Sequence, residues 1–159
     1  MRFFSLIFLS FFSLSLFSQD YKLIYIDNSN SINFAESLIF QVNEVLKSSD
    51  SNFYGFGEIY FSYVENNYIK AWKKHKRMVM NLIVIKGSVK FVFCSENKSV
   101  FREEILNQDD HSLITIPSNV WFGFMGLYEP NSIIMNCANI EHDPNEVERL
   151  DKESISYEW

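Results

Sequence analysis

The sequence predicts an all-β domain, built as a sandwich or a barrel of short strands. Aromatic residues make up 17% of the 159 residues, with 16 Phe and 8 Tyr, and this content favours strands over helices. Short apolar or alternating runs, separated by polar turns, recur at intervals of roughly ten residues. The length suits a single domain with a substantial core.

Each strand is predicted from its own run of residues. The predicted strands are residues 21–26, 57–64, 78–85, 89–93, 101–106, 113–116, 120–124 and 132–138. Residues 34–47 fit both a helix and a strand, because a partly helical spacing overlaps a strand-like run. Residues expected to form much of the core are Leu82, Val84, Val89, Phe91, Ile114, Ile116 and Phe124.

The strand at residues 57–64 has two chemically different faces. Side chains alternate across a strand, so Ile59, Phe61 and Tyr63 share one face. Glu58, Tyr60 and Ser62 share the other face, and they are expected to line a pocket.

A short C-terminal helix is predicted over residues 143–150. Asp143 suits the N-cap, and Pro144 suits the first helical position. Glu146 then stands where a capping box places its carboxylate.

A basic cluster, residues 73–77, precedes a predicted hairpin formed by residues 78–85 and 89–93. The cluster reads Lys-Lys-His-Lys-Arg, and the hairpin turn contains Gly87. Polar groups at the rim of a sheet or barrel can hold an anionic small molecule. The alternative is a solvated basic edge without a ligand.

The composition argues against several classes of function. A net charge of −6 argues against general nucleic-acid binding. The two cysteines, Cys94 and Cys137, form no zinc-ligand spacing and no disulfide framework, so both are expected to be free, buried thiols.

Residues 1–20 form an apolar leader. One positive charge, an apolar run and a small residue near Ser18 are typical of a secretory signal peptide. The run is too short and too rich in serine for a membrane span. An N-terminal extension or a core strand is the alternative, and no stable membrane association is expected.

Four motifs, in order, resemble the cupin-fold proteins related to dTDP-4-dehydrorhamnose 3,5-epimerase. They are F-G-E-I-Y-F-S (56–62), K-A-W-K-K-H-K-R-M (70–78), I-P-S-N-V-W-F-G-F-M-G-L (116–127) and N-C-A-N-I-E-H-D-P-N-E-V-E-R (136–149). The resemblance covers residues 21–159, which are expected to form one cupin domain. It implies a jelly roll, or double-stranded β-helix barrel, usually a homodimer, with a sugar nucleotide bound in the barrel mouth.

The resemblance also implies a base and an acid on opposite faces of a 4-keto sugar. The position of the family's histidine falls on Lys73, and that of its tyrosine falls near Met135 or Asn136. The general cupin metal pattern keeps one ligand, His75, so no metal or other cofactor is expected.

The candidate catalytic residues are therefore chosen by the acid–base chemistry of their own side chains. His75 titrates near neutrality and is the candidate base, although it could instead be a hydrogen-bonded rim histidine. Lys73 is a second candidate base if its pKa is lowered, or else a cation beside a phosphate. Tyr60 is a candidate acid.

The candidate substrate-binding residues supply charge, amides or an aromatic face. They are Glu58, Trp72, Lys76, Arg77, Asn119, Asn136 and Asn139. Lys76 and Arg77 suit a diphosphate, whereas the alternative for Trp72 is a core position. On one strand, Lys73 and His75 are expected to face the barrel mouth, with Lys74 and Lys76 pointing away.

By this resemblance, the chain is expected to be epimerase-like and to act on or bind a dTDP-4-keto-6-deoxy sugar. The alternatives are a related 3,4-ketoisomerase and a catalytically silent cupin that binds a nucleotide sugar. Nucleotide sugars are cytoplasmic, so a cytoplasmic location is expected despite the leader.

Overall fold

The computed structural model describes residues 22–25, 54–110 and 112–159, and for residues 22–25 it describes the backbone alone. The predicted leader and the helix-or-strand segment at residues 34–47 lie outside these residues. The elements are β1 (Lys22–Tyr25), β2 (Glu58–Glu65), β3 (Ile69–His75), β4 (Met80–Lys86), β5 (Ser88–Cys94), β6 (Phe101–Asn107), β7 (Ser112–Ile116), β8 (Trp121–Gly126), β9 (Asn131–Ala138), β10 (Val147–Arg149) and a 3₁₀ helix (Lys152–Ser154).

The strands of the described residues form two five-stranded antiparallel sheets. The first sheet has the order β1-β7-β4-β9-β2, and the second has the order β10-β3-β8-β5-β6. Strands distant in sequence are therefore neighbours, as in a jelly roll. The predicted all-β cupin fold is confirmed.

The core lies between the inner faces of the two sheets. All seven predicted core residues belong to one buried cluster, which also contains Phe93 and Phe122. This agreement follows from alternation, because every second residue of a strand points to the same face. Both cysteines are buried and free, as predicted.

A second apolar cluster covers the outer face of the second sheet. Trp72, Val92 and Trp121 are buried there against Ile155. The chain after β10 crosses this face, so the second sheet is packed on both sides.

The predicted helix over residues 143–150 is wrong. Asp143 does accept a hydrogen bond from the Asn145 amide (2.9 Å), as a capping residue would. The chain then pairs with β3, where the Lys76 amide donates to the Glu146 carbonyl (2.8 Å), and β10 follows. Pairing with a sheet edge overrides the local helix signal, and the one helical element in residues 54–110 and 112–159 is the 3₁₀ turn of Lys152–Ser154.

Candidate functional site

The alternation of β3 separates the basic cluster into an inner and an outer set. Lys73 lies directly opposite Phe122 of β8, and its amine stands 4.9 Å from the centre of that buried ring. His75 shares this inner face and stacks beside Phe122. Lys74 points outward and forms an ion pair with Glu148 (3.1 Å). Lys73 and His75 therefore face the space between the sheets.

His75 is held by a buried carboxylate. Its Nδ1 is hydrogen-bonded to Glu146, and the two side chains are almost fully buried. Glu146 also accepts hydrogen bonds from the Arg77 amide (3.2 Å) and the Met78 amide (3.3 Å). Three donors therefore fix the carboxylate, and the carboxylate fixes the imidazole. A proton on Nδ1 directed at Glu146 leaves Nε2 as an acceptor.

Burial and hydrogen bonding leave the His75–Glu146 pair able to accept a proton. Burial lowers the pKa of His75 below its ordinary value of 6.5, although the hydrogen bond to Glu146 opposes that shift. Burial raises the pKa of Glu146, but its hydrogen bonds to His75 and to two amides outweigh burial and lower it overall. At neutral pH the pair is therefore a neutral imidazole beside an ionised carboxylate.

A cavity of about 360 Å³ opens in front of His75. Side chains from both sheets and from the segment before β10 line it: Glu58, Tyr60, Lys73, His75, His142 and Arg149. Glu58 and Tyr60 come from the inner face of β2, so the polar face predicted for that strand does line a pocket.

Three polar atoms near this cavity are buried without a hydrogen-bond partner. They are the Nε2 of His75, the Oε1 of Glu58 and the Nδ2 of Asn136. Asn136 lies directly opposite Tyr60 across the β2–β9 pair. Buried polar groups are nearly always hydrogen-bonded, so the unpartnered atoms of His75 and Glu58, which both line this cavity, indicate a polar ligand.

Tyr60 faces His75 from the other sheet. Burial raises the pKa of its hydroxyl, and the nearby Asn136 side chain partly opposes that shift. A raised pKa keeps the hydroxyl protonated at neutral pH. Tyr60 can therefore donate a proton into the cavity.

Lys73 and Arg149 place two positive charges opposite each other on adjacent strands. They are cross-strand partners of β3 and β10, and both line the cavity. Burial, followed by the nearby Arg149, lowers the pKa of Lys73 to about 8. Like charges at such positions are destabilising. No carboxylate within residues 54–110 and 112–159 forms an ion pair with Lys73 or Arg149. The two cations are therefore suited to bind an anion.

A second cavity, of about 480 Å³, adjoins the first at Lys73 and Arg149. Its walls are formed by Ser62, Lys70, Ala71, Trp72, Lys73, Phe124, Arg149, Leu150 and Asp151. Lys70 adds a third cation, and it also donates a hydrogen bond to the Tyr63 carbonyl (3.2 Å). Two cavities that share Lys73 and Arg149 in their walls can accommodate a ligand with a central anionic group.

The two cations proposed from sequence for a diphosphate lie elsewhere. The Lys76 amine donates to the Asn145 carbonyl (3.3 Å), and Arg77 forms an exposed ion pair with Asp143 (2.6 Å). Neither residue lines the two cavities described above.

Three other predicted binding residues have structural contacts. Asn119 occupies an exposed left-handed turn, and its amide donates to the His75 carbonyl (2.6 Å). The Asn139 side chain accepts from the Val79 amide (2.7 Å). The Trp72 indole is buried in the outer cluster, although Trp72 also borders the second cavity.

Three residues of the site were not among the sequence candidates. Glu146 and Arg149 fall within the predicted helix, and the strand that the structure has there is only three residues long. His142 directly precedes that predicted helix. Only the tertiary structure shows the cross-strand pairing of Lys73 with Arg149 and of His75 with Val147.

Across the described ranges no three His, Cys, Asp or Glu residues converge as ligands for a metal ion. In the same residues no helix is long and apolar enough to span a bilayer.

Comparison with known proteins identifies the family. No protein-family model and no curated protein matches the sequence. A dTDP sugar isomerase from Desulfovibrio desulfuricans G20 is 32% identical, over 72% of this chain and 78% of that one, with a TM-score of 0.64.

Two less similar structures share the fold. The 3,4-ketoisomerase QdtA from Thermoanaerobacterium thermosaccharolyticum, in complex with TDP, is 21% identical over 63% of this chain and 71% of its own, with a TM-score of 0.54. A dTDP-4-dehydrorhamnose 3,5-epimerase from Sulfolobus tokodaii is 19% identical over 65% of this chain and 62% of its own, with a TM-score of 0.55. The identity to the first of these three structures, together with the shared cupin fold, shows that the chain belongs to the dTDP-sugar isomerase family related to dTDP-4-dehydrorhamnose 3,5-epimerase.

Proposed function

We propose that this protein is a dTDP-sugar epimerase that removes a proton from the carbon next to the keto group of a dTDP-4-keto-6-deoxy sugar. The observation that carries this proposal is the buried His75, whose Nδ1 is bound to Glu146 and whose Nε2 is unpartnered at the cavity. A general base needs this combination of an oriented ring and a free acceptor. The similarity to a dTDP sugar isomerase supports this choice of substrate class.

Proton removal from C3 is the first step. The C3–H bond breaks, its proton passes to Nε2 of His75, and its electron pair forms an enolate whose charge rests on O4. The imidazolium that results is stabilised by Glu146, which is already ionised.

Proton return from the opposite face completes an epimerisation. Tyr60 lies on the sheet that faces His75, and its raised pKa keeps its proton available. Transfer of that proton to C3 inverts the carbon, and the same pair of groups can act at C5. A base and an acid on facing sheets favour epimerisation over 3,4-keto transfer, which returns a proton to C4.

Arg149 and Lys73 are proposed to hold the diphosphate at the junction of the two cavities. The sugar then occupies the chamber lined by His75 and Tyr60, with Glu58 and Asn136 as hydrogen-bond partners. Arginine is suited to phosphate oxygens because its guanidinium donates two parallel hydrogen bonds. The nucleoside is then directed toward the second chamber.

A homodimer is proposed from the outer face of β2. Ile59, Phe61 and Tyr63 are 39%, 53% and 66% exposed, and β2 is an edge strand of its sheet. Adjacent exposed apolar side chains are typical of an interaction surface.

We further propose that residues 1–20 form a separate leader and that the single domain, residues 21–159, acts in the cytoplasm, where nucleotide sugars are found. N-terminal sequencing of the protein from its native host tests this proposal. An exported chain that begins near Gln19 or Asp20 would contradict it.

Product analysis in deuterated water tests the activity itself. With dTDP-4-keto-6-deoxyglucose as substrate, we expect deuterium at C3 and C5 and inversion of those carbons. Deuterium at C4, with the keto group moved to C3, would identify a 3,4-ketoisomerase instead. Binding without deuterium incorporation would identify a silent nucleotide-sugar cupin.

A further inference from the structure

The strand that supplies Arg149 has little structure of its own. β10 contains three residues and, among the described strands, pairs with β3 alone, at the edge of the second sheet. One further backbone pair extends it, because Trp72 and Leu150 exchange hydrogen bonds of 2.9 and 3.0 Å. Because β10 is so short and lies at the sheet edge, its position depends on the chain that follows it.

The chain that follows β10, residues 150–159, forms what we call the C-terminal strap. It crosses the outer face of the second sheet, and Ile155 is buried there. The Tyr157 hydroxyl donates to Glu103 on β6 (2.6 Å), and the Lys90 amine donates to that hydroxyl (3.3 Å). The end of the strap is therefore hydrogen-bonded to β5 and β6, which lie toward the opposite edge of the second sheet from β10.

Trp159 occupies a space that Gly123 leaves open. A Cβ atom at Gly123 would lie 2.7 Å from the Trp159 ring and 2.7 Å from the Cβ of Ala71. The Trp159 indole nitrogen is buried without a hydrogen-bond partner. Packing of the ring, rather than a hydrogen bond, therefore determines where Trp159 lies.

Trp72 connects this anchor to the site. Its ring centre is 5.2 Å from that of Trp159, and its indole donates to the Lys152 carbonyl (3.3 Å). Its backbone pairs with Leu150, the residue after Arg149, and its chain neighbour is Lys73. Trp72 is therefore the chain neighbour of Lys73 on β3, and its backbone pairs with the residue that follows Arg149 on β10.

We propose, on the basis of the proposed function, that the C-terminal strap is a positioning element for substrate binding, in which the packing of Trp159 on Trp72 and Gly123 holds Arg149 in place for the diphosphate. Trp159 does not touch the cavities. It acts through Trp72 and Leu150, which pair with each other and are the chain neighbours of Lys73 and Arg149.

A double-mutant cycle with dTDP as the probe tests this proposal. We expect Trp159→Ala to weaken dTDP binding about tenfold in the wild-type background, and less than about twofold when Arg149→Ala is already present, because coupled residues are not additive. Leu106→Val is the control for loss of stability, since Leu106 is buried in the core between the sheets. It should leave dTDP affinity unchanged. Trp159→Phe replaces Trp159→Ala if the latter does not fold.

Hydrogen exchange gives a readout that does not depend on the ligand. In Trp159→Ala we expect the amides of residues 146–151 to exchange at least about tenfold faster, with no such change in Leu106→Val. Unchanged exchange in those residues would overturn the proposal, whether or not dTDP binds. An equal loss of dTDP affinity with and without Arg149 would also overturn it. Failure of the wild-type protein to bind dTDP, with faster exchange in Trp159→Ala, would retain the strap and refute the proposed ligand.

Discussion

Lys73 and His75 stand two residues apart on β3 and have different environments. His75 has a carboxylate on one nitrogen and a free acceptor on the other. Lys73 lies over two aromatic rings, with Arg149 as its cross-strand neighbour. The first environment suits a base, and the second suits a cation that meets an anion.

Replacement of Lys73 should weaken binding. Lys73→Met removes one charged hydrogen bond, which is worth roughly 1–3 kcal/mol, or roughly 5- to 150-fold in the Kd for a dTDP sugar. Isothermal titration measures the change. Lys76→Met is the matched control, because the Lys76 amine binds a backbone carbonyl outside the cavities. Equal effects of the two substitutions would refute the assignment of Lys73 as the anion-binding cation.

The pH dependence of kcat/KM should be bell-shaped. Burial lowers the pKa of His75, so its acceptor form is lost only as the pH falls through a value below 6.5. Lys73 has a pKa of about 8, so its positive charge is lost as the pH rises through that value. Because kcat/KM reports the free enzyme, its alkaline limb should lie near pH 8.

Lys73→Arg identifies the group behind the alkaline limb. Arginine remains charged throughout this range, so the limb near pH 8 should disappear. Retention of that limb in Lys73→Arg would show that another group controls it.

The segment from Asp143 to Arg149 shows that a local helix-capping signal does not by itself determine which secondary structure follows. Its capping hydrogen bond forms as the sequence predicts, but the chain continues as β10 and not as a helix. The Glu146 carboxylate that suits a capping box instead binds His75 and the amides that follow it. The same capping hydrogen bond can precede a helix or a strand. Pairing with the nearby edge of β3 is what favours the strand here.

Glu146 should affect turnover more than binding. Glu146→Gln keeps the shape of the side chain but removes the charge that stabilises an imidazolium at His75. We expect kcat to fall by roughly 10²-fold or more with little change in Kd. Glu148→Gln is the matched control, because Glu148 points outward and pairs with Lys74. A similar kcat for Glu146→Gln and wild type would contradict the role of this pair.

The sequence predicted strands and core well because alternation is a local property. β2 illustrates this, since its apolar side chains are exposed and its polar side chains face the cavity. β3 is not among the strands predicted from their own runs of residues, although alternation correctly places Lys73 and Lys74 on opposite faces. The residues that complete the site, Glu146 and Arg149, are joined to it by pairing between strands some 70 residues apart, which no local pattern encodes.

At the scale of the whole molecule, both cavities are formed by the approach of two sheets. One sheet supplies Tyr60 and Glu58, whereas the other supplies His75, Lys73 and Arg149. The strap covers the outer face of the second sheet. The outer face of β2, with its exposed aromatic side chains, is the surface proposed for a partner.

Association should depend on that outer face. We expect a dimer in sedimentation velocity at micromolar concentration, and a monomer for Phe61→Lys, because the substitution places a charge within the apolar strip. Ile105→Lys is the matched control, since Ile105 is similarly exposed on β6 in the other sheet. A wild-type monomer, or dissociation by the control alone, would contradict the proposed interface.

The claim that His75 removes the proton at C3 can be tested by solvent exchange. The rate of deuterium incorporation at C3 of dTDP-4-keto-6-deoxyglucose is measured in deuterated water for wild type, His75→Asn and Lys73→Met. The structure predicts that His75→Asn loses at least roughly 10²-fold of the exchange rate and keeps nearly the wild-type Kd, because the base is lost and the cations remain. Exchange at the wild-type rate in His75→Asn would contradict the claim. Loss of exchange in Lys73→Met with normal binding would instead make Lys73 the base.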